Sequence, residues 1–571
     1  MVDLIHTWLW GGAPQQLSVA YLKASSPEIL LKAPGTISHH SSVQSKGIMD
    51  FLRRKDAPKL PGSKRPAILV GAFAAIGGIL FGYDTASISG VVAMDAWIKT
   101  MATHTDANGD PVVTTGEISL VVSILSAGTF LGALLSGPLG DRLGRRWGLI
   151  VSCFVFCVGA ALQTAASGLP LFIAGRVVAG LGVGLVSALV PLYQSESAPK
   201  QIRGTIVGCY QLCINIGLIL AAVANNSTAY REDKSAYRIP VGIQIIFGVA
   251  LALGMVFLPE TPRYLIKIGK TDDALASLGF LHGLPIDHAI INQEYREILA
   301  NLELERAKGG ASYLTCWRPP FLKRQITGCV LQALQQLSGI NFIIYYGTRF
   351  FLTSGIKDPF LITMITNIVA FVSTIPGLYL VETMGRRNLL LAGAVGMTVC
   401  QVIVGAVGVS TDSQVSNIVL IVFVCFYLFF FEFSWGPCAW IVTGEIFPLH
   451  IRAKALSMTT SSNWLFNFIL AFVTPYMVDS GPGNAGLGVK VFFVWTAFCL
   501  IAVVFVWALI YETKGLSLEQ VDELYNLVDK AWKSPAYKRR GSLAVGSEAT
   551  WQGETKEHGD GYHQEIEEPK H

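Results

Sequence analysis

The sequence predicts an all-α membrane protein, with twelve transmembrane helices in two six-helix halves and a helical linker between the halves. Three observations support this fold class: a scarcity of charged residues, a series of long apolar stretches, and a set of charged motifs that occurs twice. Only 14% of the 571 residues are charged and 52% are hydrophobic, whereas about a quarter of an ordinary soluble domain is charged. A water-soluble globule is therefore excluded, because it would expose more apolar surface than such proteins tolerate.

The apolar stretches have the length that a helix needs to cross a bilayer, which is about 20 residues. We number them spans one to twelve. They lie at about 67–91, 118–139, 147–167, 171–192, 206–224, 240–258, 326–351, 360–381, 388–409, 417–443, 455–477 and 490–511.

Lys and Arg residues are concentrated in the loops after spans two, four, eight and ten and in the long loop after span six. Because such residues favour the cytoplasm, the sequence predicts that both termini and the central loop are cytoplasmic. The predicted organisation is a tail (1–65), a first half (66–258), a linker (259–325), a second half (326–512) and a second tail (513–571). We expect short amphipathic helices at 272–281 and 288–306 and mobile tails.

Several kinds of partner and chemistry are not expected. No basic patch is interleaved with base-stacking aromatic residues, so a nucleic-acid partner is not predicted. Every histidine lies outside the spans and no cysteine spacing has histidine support, so no metal or other cofactor is predicted. The chain has no Walker A motif and no catalytic residue set, which argues against ATP use and against an enzyme.

A group of charged residues at the predicted cytoplasmic helix ends recurs at an offset of roughly 241–252 residues. Asp141 and Arg145 match Glu382 and Arg386, Glu196 and Arg203 match Glu445 and Arg452, and Glu260, which Arg263 follows, matches Glu512. Parallel repeats are typical of secondary transporters, whose substrate site lies near the midplane between the halves. Our hypothesis is that these residues form salt bridges that close the cytoplasmic side; ordinary helix-end charges are the alternative.

Several motifs together resemble the sugar porter family of the major facilitator superfamily over about residues 66–532. They are Gly-Asp-Arg-Leu-Gly-Arg-Arg (140–146), Arg176-x-x-x-Gly180-x-Gly182-x-Gly184, Pro-Leu-Tyr-Gln-Ser-Glu (191–196), Pro-Glu-Thr-Pro-Arg (259–263) and Gln-Gln-Leu-Ser-Gly-Ile-Asn (335–341). The sequences of residues 76–90 and 514–525 are similar to those of fungal high-affinity glucose/xylose proton symporters. The resemblance implies uptake of a monosaccharide, glucose or xylose, with a proton across the plasma membrane.

Asp84 is a carboxylate deep in span one, where a charge costs about 2.5–3.5 kcal/mol and usually marks an ion path or a partnered site. At 1.5 Å per residue, Asp84 and Arg176 of span four both lie roughly 10 Å below the outer surface, so they can pair. Our hypothesis is that Asp84 accepts the proton and that protonation breaks the pair. The resemblance supports this role, since animal facilitators have Asn in place of Asp84, although some yeast facilitators keep the Asp. A static ion pair is the alternative.

The sugar site is predicted from amides, which both donate and accept hydrogen bonds. Gln332, Gln335 and Gln336 share one side of span seven and Asn341 lies near it, although hydrogen bonding between helices is the alternative, above all for Gln332. The resemblance implies further sugar contacts at Gln211, Tyr345, Asn367, Gly436, Trp440, Asn463 and Trp464. Phe81 and Phe431 are aromatic neighbours by the same reasoning, with plain packing as the alternative.

Three further features of the sequence carry predictions about single residues or short segments. Glu432 could contact sugar, add a second titratable site, or pair internally. Gly436-Pro437 predicts a bend in span ten. Asn225 and Asn226 lie in Asn-x-Ser/Thr sequons and are expected in an outer loop, where they could be glycosylated.

The function predicted from these features is proton-coupled uptake of a monosaccharide by alternating access between the two halves. An uncoupled hexose facilitator is one alternative. A glucose sensor of the same fold that signals without transport is the other, although such sensors usually carry a longer cytoplasmic tail than the residues after Glu512.

Overall fold

The computed structural model describes residues 62–105, 111–229, 231–307, 312–353, 359–410, 414–478 and 484–536. The predictions for residues 1–61 and for the tail beyond residue 536 lie outside the described residues. Within these ranges, each of the twelve predicted spans is a helix whose ends agree with the prediction to within a few residues. The predicted all-helical membrane fold is confirmed.

In the first half, span one consists of Arg65–Ala74 and Ile76–Val91, and spans two to six are Thr115–Arg142, Arg145–Ala165, Leu169–Ser197, Arg203–Thr228 and Ser235–Phe257. In the second half, span seven consists of Leu322–Leu337 and Ile340–Thr353, and spans eight and nine are Pro359–Thr383 and Arg386–Ser410. Span ten comprises Gln414–Phe430, a π turn at Phe431–Trp435, and Gly436–Glu445. Spans eleven and twelve are Arg452–Val478 and Val491–Leu509.

Short elements connect the spans at the end where span one finishes. A helix at Asp95–Met101 precedes two antiparallel two-residue strands, His104–Thr105 and Pro111–Val112. A 3₁₀ turn at Gly488–Lys490 leads into span twelve.

Among the described residues, ten helices are long and apolar enough to cross a membrane by length and composition, and spans seven and eleven are not among them. Span seven is interrupted at Ser338–Gly339, and span eleven is rich in Ser, Thr and Asn. Polar residues in lipid-embedded helices are expensive unless they face a cavity or each other. The two least apolar spans, seven and eleven, are therefore candidates to line a binding site.

Close helix packing in the first half depends on small residues. A Cβ atom added to Gly180 would lie 2.4 Å from the carbonyl oxygen of Leu125, and one added to Gly184 would lie 2.2 Å from that of Thr129. Both distances are far below van der Waals contact, so span four touches span two backbone to backbone. This is the usual role of small residues between membrane helices.

The described part of the linker contains four helices, Pro262–Lys267, Thr271–His282, Ala289–Ala307 and Tyr313–Cys316. The second and third match the two amphipathic helices that the sequence predicts. The described residues from Gly62 onward belong to one compact unit, so the division into two halves is not visible as two separate units.

The expectation that the chain after residue 512 is mobile is wrong for its described part. A helix at Leu518–Leu527 and a 3₁₀ turn at Ala531–Lys533 follow span twelve. Leu518, Val521 and Leu524 are buried on one face of the helix. Ser517 caps this helix and Gln520 returns the hydrogen bond, which satisfies two backbone N–H groups. The buried apolar positions of this helix extend over only two turns. The polar composition of the whole segment therefore masked the helix in the sequence.

Candidate functional site

A cavity lies between the two halves, with walls from spans one, five, seven, ten and eleven. Its lining combines amides, aromatic rings and aliphatic side chains: Phe81, Thr85, Gln211, Ile214, Asn215, Leu218, Gln335, Gln336, Ile340, Asn341, Ile344, Tyr345, Phe431, Glu432, Trp440 and Asn467. A concave, largely apolar site with a few convergent polar groups is the usual form of a small-molecule site.

The break in span seven places its amides around the cavity. Gly339 has φ +91°, in the left-handed region, and a Cβ there would lie 2.6 Å from the Trp495 ring. Gln336, before the break, accepts hydrogen bonds at Oε1 from the side-chain amides of Asn341, beyond the break, and of Asn467 (3.1 Å). The interruption thus lets one helix present amides from both of its pieces to the same space.

Spans five and ten supply the opposite wall. The Trp440 indole N–H donates to Gln211 Oε1 (3.3 Å), which fixes the orientation of both side chains. Gln335 Nε2 donates to the carbonyl oxygens of Trp435 and Gly436 (3.1 Å each), at the end of the π turn in span ten. A π turn interrupts the regular α-helical ladder, and such turns are frequent at functional sites.

Glu432, within this π turn, is 2% exposed and joins the two halves. One of its carboxylate oxygens accepts hydrogen bonds from Asn215 Nδ2 (2.8 Å), Gln211 Nε2 (3.2 Å) and Thr374 Oγ1 (3.2 Å). Of the options that the sequence leaves open, internal pairing is therefore observed, with amide and hydroxyl donors. Glu432 also lines the cavity.

A second cavity shares Leu218, Ile340, Ile344 and Glu432 with the first. It runs along the halves of spans one, five and eight that lie near Gly90, Asn225 and Thr363. This end of the bundle is opposite to the helix ends that carry Arg145 and Arg386. The shared residues make the two cavities adjacent, so the second can serve as an entrance to the first.

The predicted sugar residues fall into three groups. Gln211, Gln335, Gln336, Asn341, Tyr345 and Trp440 line the first cavity. Asn367 lines the second cavity, and Gly436 packs against Gln211 and Glu432. Asn463 and Trp464 are buried behind the lining, where Asn463 donates to Gln332 (2.7 Å) and Gln335 (2.8 Å), and Trp464 donates to Ser187 (3.0 Å).

Gln332 takes part in hydrogen bonding between helices, as the alternative interpretation predicts. Its side-chain nitrogen donates to the Ala439 carbonyl (3.4 Å) and to Thr443 (3.3 Å) in span ten. The two aromatic neighbours, Phe81 and Phe431, both line the cavity. Phe81 also packs against Trp464, with ring centroids 4.9 Å apart.

Two amide side chains that line the first cavity were not predicted from the sequence. Asn215 lies four residues after Gln211, and Asn467 lies four residues after Asn463, so each is on the same helix face as a predicted residue. Asn467 Oδ1 accepts from Ser126 Oγ of the first half (2.6 Å) and from Tyr345 Oη of the second (3.1 Å). The helical period was the signal that could have found both.

Asp84 and Arg176 form the predicted pair. An Arg176 guanidinium nitrogen lies 3.5 Å from an Asp84 carboxylate oxygen, and each side chain is at most 1% exposed. Neither carboxylate oxygen accepts a hydrogen bond from any described residue. Thr85, next in the chain, lines the cavity, and Tyr345 lies within electrostatic range of Arg176. The pair is thus buried, minimally satisfied and adjacent to the cavity.

The opposite end of the bundle, which we call the charged end, contains Arg145, Glu196, Arg386 and Glu445. Arg145 pairs with Glu196 (3.0 Å) and more loosely with Asp141 (3.9 Å). At the repeated positions, Arg386 pairs with Glu445 (2.9 Å) and Glu382 (3.1 Å). Each half therefore ties the ends of its own helices together in the same way.

The other predicted gating residues have different partners from those expected. Glu260 accepts from the backbone N–H groups of Arg145 (3.1 Å) and Arg146 (3.0 Å), at the start of span three. Glu512 does the same for Arg386 (3.0 Å) and Arg387 (3.3 Å) at the start of span nine. Both carboxylates thus cap helix N-termini, where negative charge is favourable.

Arg203, Arg452 and Arg263, the remaining gating residues, each donate to a backbone carbonyl. Arg203 donates to the Ala198 carbonyl (3.3 Å) and Arg452 to the Phe447 carbonyl (2.9 Å). Arg263 donates to the Glu196 carbonyl (2.9 Å) and pairs with Glu519 (3.1 Å), in the helix after span twelve. Burial alone would raise the pKa of Glu519, but Arg263, Arg203 and Arg452 more than offset it and lower the pKa to about 2.

Contacts between the halves also close the charged end. Lys454 lies 3.8 Å from Asp141, and Thr205 Oγ1 donates to the Leu378 carbonyl (3.3 Å). Tyr313 of the linker donates to the Leu134 carbonyl (2.6 Å). These contacts therefore join the first half to the second half and to the linker at the charged end, which is opposite to the second cavity.

The expectation that Asn225 lies in an outer loop is wrong, because span five continues to Thr228. Asn225 is 4% exposed and donates to the Ser87 carbonyl (3.0 Å) in span one, so its amide is not accessible for glycosylation. Asn226 is exposed on the same helix and stays a predicted acceptor.

Comparisons with known proteins agree with this architecture. The family model "Sugar (and other) transporter" matches residues 70–525. Over 84% of its length, the chain is 54% identical to the major facilitator-type transporter ecdD of Aspergillus rugulosus (91% of that protein) and 50% identical to the probable glucose transporter rco-3 of Neurospora crassa (82% of that protein). It is 40% identical to the high glucose sensor RGT2 of Saccharomyces cerevisiae, over 83% of this chain and 63% of that protein.

Solved structures of a bacterial transporter share the fold. The proton:xylose symporter XylE bound to 6-bromo-6-deoxy-D-glucose has a TM-score of 0.73 and 27% identity, over 81% of this chain and all of XylE. The inward-open form of XylE from E. coli has a lower TM-score of 0.61, at 26% identity, over 80% of this chain and 99% of XylE. The matched family model, the fungal relatives and the shared fold lead to one conclusion: the chain belongs to the sugar porter family of the major facilitator superfamily.

Proposed function

We propose that this sugar porter takes up a monosaccharide, glucose or xylose, together with a proton. The observation that carries the proposal is the amide-lined cavity between the halves, with the buried Asp84–Arg176 pair beside it. Amides and one aromatic wall suit a neutral, hydroxyl-rich ring, because each hydroxyl both donates and accepts. No covalent reaction and no cofactor is part of the proposal.

Proton coupling is proposed from the state of Asp84. Its carboxylate is buried, has one cationic neighbour at 3.5 Å and accepts no hydrogen bond from the described residues. Such a charge is costly to bury, and protonation removes the cost while it releases Arg176. Because Tyr345 lines the sugar cavity and lies within electrostatic range of Arg176, sugar and proton can favour the same rearrangement.

The transport cycle is proposed to alternate the opening of the two ends. The charged end, taken as cytoplasmic from its Lys and Arg content, is closed by the contacts between the halves. The higher TM-score against the ligand-bound XylE structure than against the inward-open one agrees with such a closed state. Location in the plasma membrane, with both termini in the cytoplasm, is part of this proposal.

The test is uptake of radiolabelled glucose and xylose in a host that lacks its own hexose carriers, with unlabelled sugars as competitors. We expect uptake that a protonophore lowers, together with alkalinisation of the medium when sugar is added. Uptake without either effect would identify an uncoupled facilitator. Absence of growth rescue, despite correct targeting of the protein, would favour a sensor and overturn the proposal.

A further inference from the structure

The chain after span twelve folds back onto the end of that span. The 3₁₀ turn Ala531–Lys533 places the Trp532 ring on the Trp507 ring, with centroids 4.8 Å apart and planes 8° from parallel. Trp507 lies two residues before the end of span twelve. The stack therefore sits at the charged end, where the membrane span meets the residues that follow it.

Trp507 belongs to the lipid-facing side of span twelve. Leu500, Val504 and Trp507 are 54%, 64% and 52% exposed, and their spacing of four and three residues puts them on one helix face. Large apolar side chains exposed on a membrane span face lipid. Trp532, which is 40% exposed, extends this face beyond the end of the helix. Tryptophan is enriched at membrane–water interfaces, which is the depth that this stack occupies.

The turn is held in place by buried contacts. Ala531 is fully buried, and Ser534 Oγ accepts the backbone N–H of Glu512 (2.9 Å). Tyr511 Oη (2.9 Å) and Lys323 Nζ (2.6 Å) both donate to the Asp529 carbonyl. The position of Trp532 at the edge of span twelve is therefore fixed by the fold.

Basic residues flank the stacked ring. Lys530 and Lys533 are exposed, and Lys530 Nζ lies 5.3 Å from the Trp532 ring centroid. Within the described residues, neither lysine forms an ion pair. In the sequence, residues 530–540 read Lys-Ala-Trp-Lys-Ser-Pro-Ala-Tyr-Lys-Arg-Arg, with five basic residues and no acidic one. Lys530 and Lys533 thus place two positive charges beside the stacked aromatic pair.

We infer that Lys530, Trp532 and Lys533 form a docking surface for anionic phospholipid headgroups of the leaflet at the charged end. The aromatic ring enters the interface and the ammonium groups contact headgroup phosphates and carboxylates. Clusters of basic residues immediately beyond a transmembrane helix bind anionic lipid in this way, and each contributes to the affinity.

The test is lysine footprinting of the full-length protein in lipid nanodiscs, read by mass spectrometry. One nanodisc contains only phosphatidylcholine and the other contains added phosphatidylserine. We expect slower acylation of Lys530 and Lys533 in the anionic nanodisc, by about fivefold or more, since a basic residue near an anionic surface gains about 1 kcal/mol. High salt should abolish the difference. Lys200, exposed at the charged end, is the internal control and should change little.

Trp532→Ala removes the stacked ring while the buried Ala531 and Ser534 contacts stay, so we expect the protection of both lysines to fall. Equal labelling of Lys530 and Lys533 in the two nanodiscs would overturn the inference. A slowing of Lys200 as large as theirs would overturn it too, because it would reflect a general effect of the charged surface.

Discussion

At the scale of single residues, the membrane interior contains two buried carboxylates with opposite surroundings. Glu432 accepts three hydrogen bonds from amides and a hydroxyl, whereas Asp84 accepts none and has one guanidinium at 3.5 Å. A carboxylate that donors satisfy is stable when ionised, whereas one that lacks them gains most from a proton. On this contrast we propose that the transported proton binds Asp84 and that Glu432 is part of the cavity wall.

Asp84→Asn is expected to abolish sugar-driven proton uptake and concentrative transport while it preserves exchange of labelled for unlabelled sugar. Asparagine resembles the protonated acid in size and lacks its charge, so the pair with Arg176 is permanently broken. Proton flux and counterflow in proteoliposomes measure the two activities. Asp95→Asn, an exposed acid near the same membrane end, is the control. Sugar-dependent proton uptake that persists in Asp84→Asn would refute the coupling role.

Gln336→Ala is expected to raise the KM for sugar about fivefold or more, because a hydrogen bond to a bound ligand contributes about 1 kcal/mol and its loss leaves partners unsatisfied. Gln332→Ala is the matched control, since Gln332 is also a buried amide on the same helix but is not among the residues that line the cavity. We expect it to lower protein stability without a change in KM. An equal rise in KM for both variants would mean that the amides of span seven act only through helix packing.

At the scale of elements, the cavity depends on two irregular helices. Span seven breaks at Ser338–Gly339 and span ten contains the π turn Phe431–Trp435. A continuous helix would present one narrow face, whereas a break lets residues before and after it converge. Gly436-Pro437 predicted an irregularity in span ten, and the π turn ends directly before it. The sequence does not mark the break in span seven as clearly, because Ser-Gly is common inside membrane helices.

Gly339→Ala is expected to destabilise the protein, because φ is +91° there and the new Cβ would meet Trp495 at 2.6 Å. Gly269→Ala in the linker is the matched control: φ is +81° and nothing lies within 4 Å of its added Cβ. The control carries only the backbone strain, about 1 kcal/mol. Thermal unfolding followed by size-exclusion chromatography should show a larger loss for Gly339→Ala; equal losses would exclude the steric explanation.

The helix Leu518–Leu527 is expected to stay docked until the medium becomes strongly acidic. Its Glu519 has a pKa of about 2, below the ordinary 4.5 of a glutamate, through the net effect of burial and the stronger influence of Arg263. Ionised Glu519 therefore stabilises docking above about pH 4.5, and this stabilisation is lost as the pH falls through about 2.

Hydrogen–deuterium exchange of the peptide that covers this helix, in detergent at a series of pH values, tests the docking. After correction for intrinsic exchange, protection should fall between pH 4.5 and 2. In Glu519→Gln it should be weaker at neutral pH and depend less on pH in that range. Glu523→Gln, an exposed glutamate of the same helix, should behave as the unmodified protein does. A Glu519→Gln profile identical to that of the unmodified protein would show that the pair with Arg263 does not hold the helix.

At the scale of the whole molecule, the charged end contains two equivalent sets of salt bridges, one in each half. Arg145–Glu196 and Arg386–Glu445 are equivalent by the internal repeat, and each is buried and short. Within each half, a capping carboxylate, Glu260 or Glu512, holds the helix that begins with the same arginine. We propose that these ties hold the helix ends in the positions that the contacts between the halves require, so that loss of the ties also weakens the closed end.

Glu196→Gln combined with Glu445→Gln is expected to shift the protein toward the state that is open at the charged end. Each change removes a charge-assisted hydrogen bond, so together they weaken the closed state by about 3 kcal/mol, roughly a hundredfold in population. Hydrogen exchange should accelerate at the contact between residues 203–208 and 378–386. The single variant Glu523→Gln serves as the control, and unchanged exchange at that contact in the double variant would rule out a gating role.

The sequence by itself determined the twelve spans, the membrane environment, the repeat of charged helix ends and the Asp84–Arg176 pair. These features follow from local composition and from helical rise, which act within short stretches of chain or along a known axis. Tertiary structure alone decided which amides face the cavity, because Gln332 and Gln336 differ only in what packs against them. It also decided the partners of Glu260 and Glu512, the burial of Asn225 and the docking of Leu518–Leu527. Each of these depends on a surface that a distant part of the chain supplies.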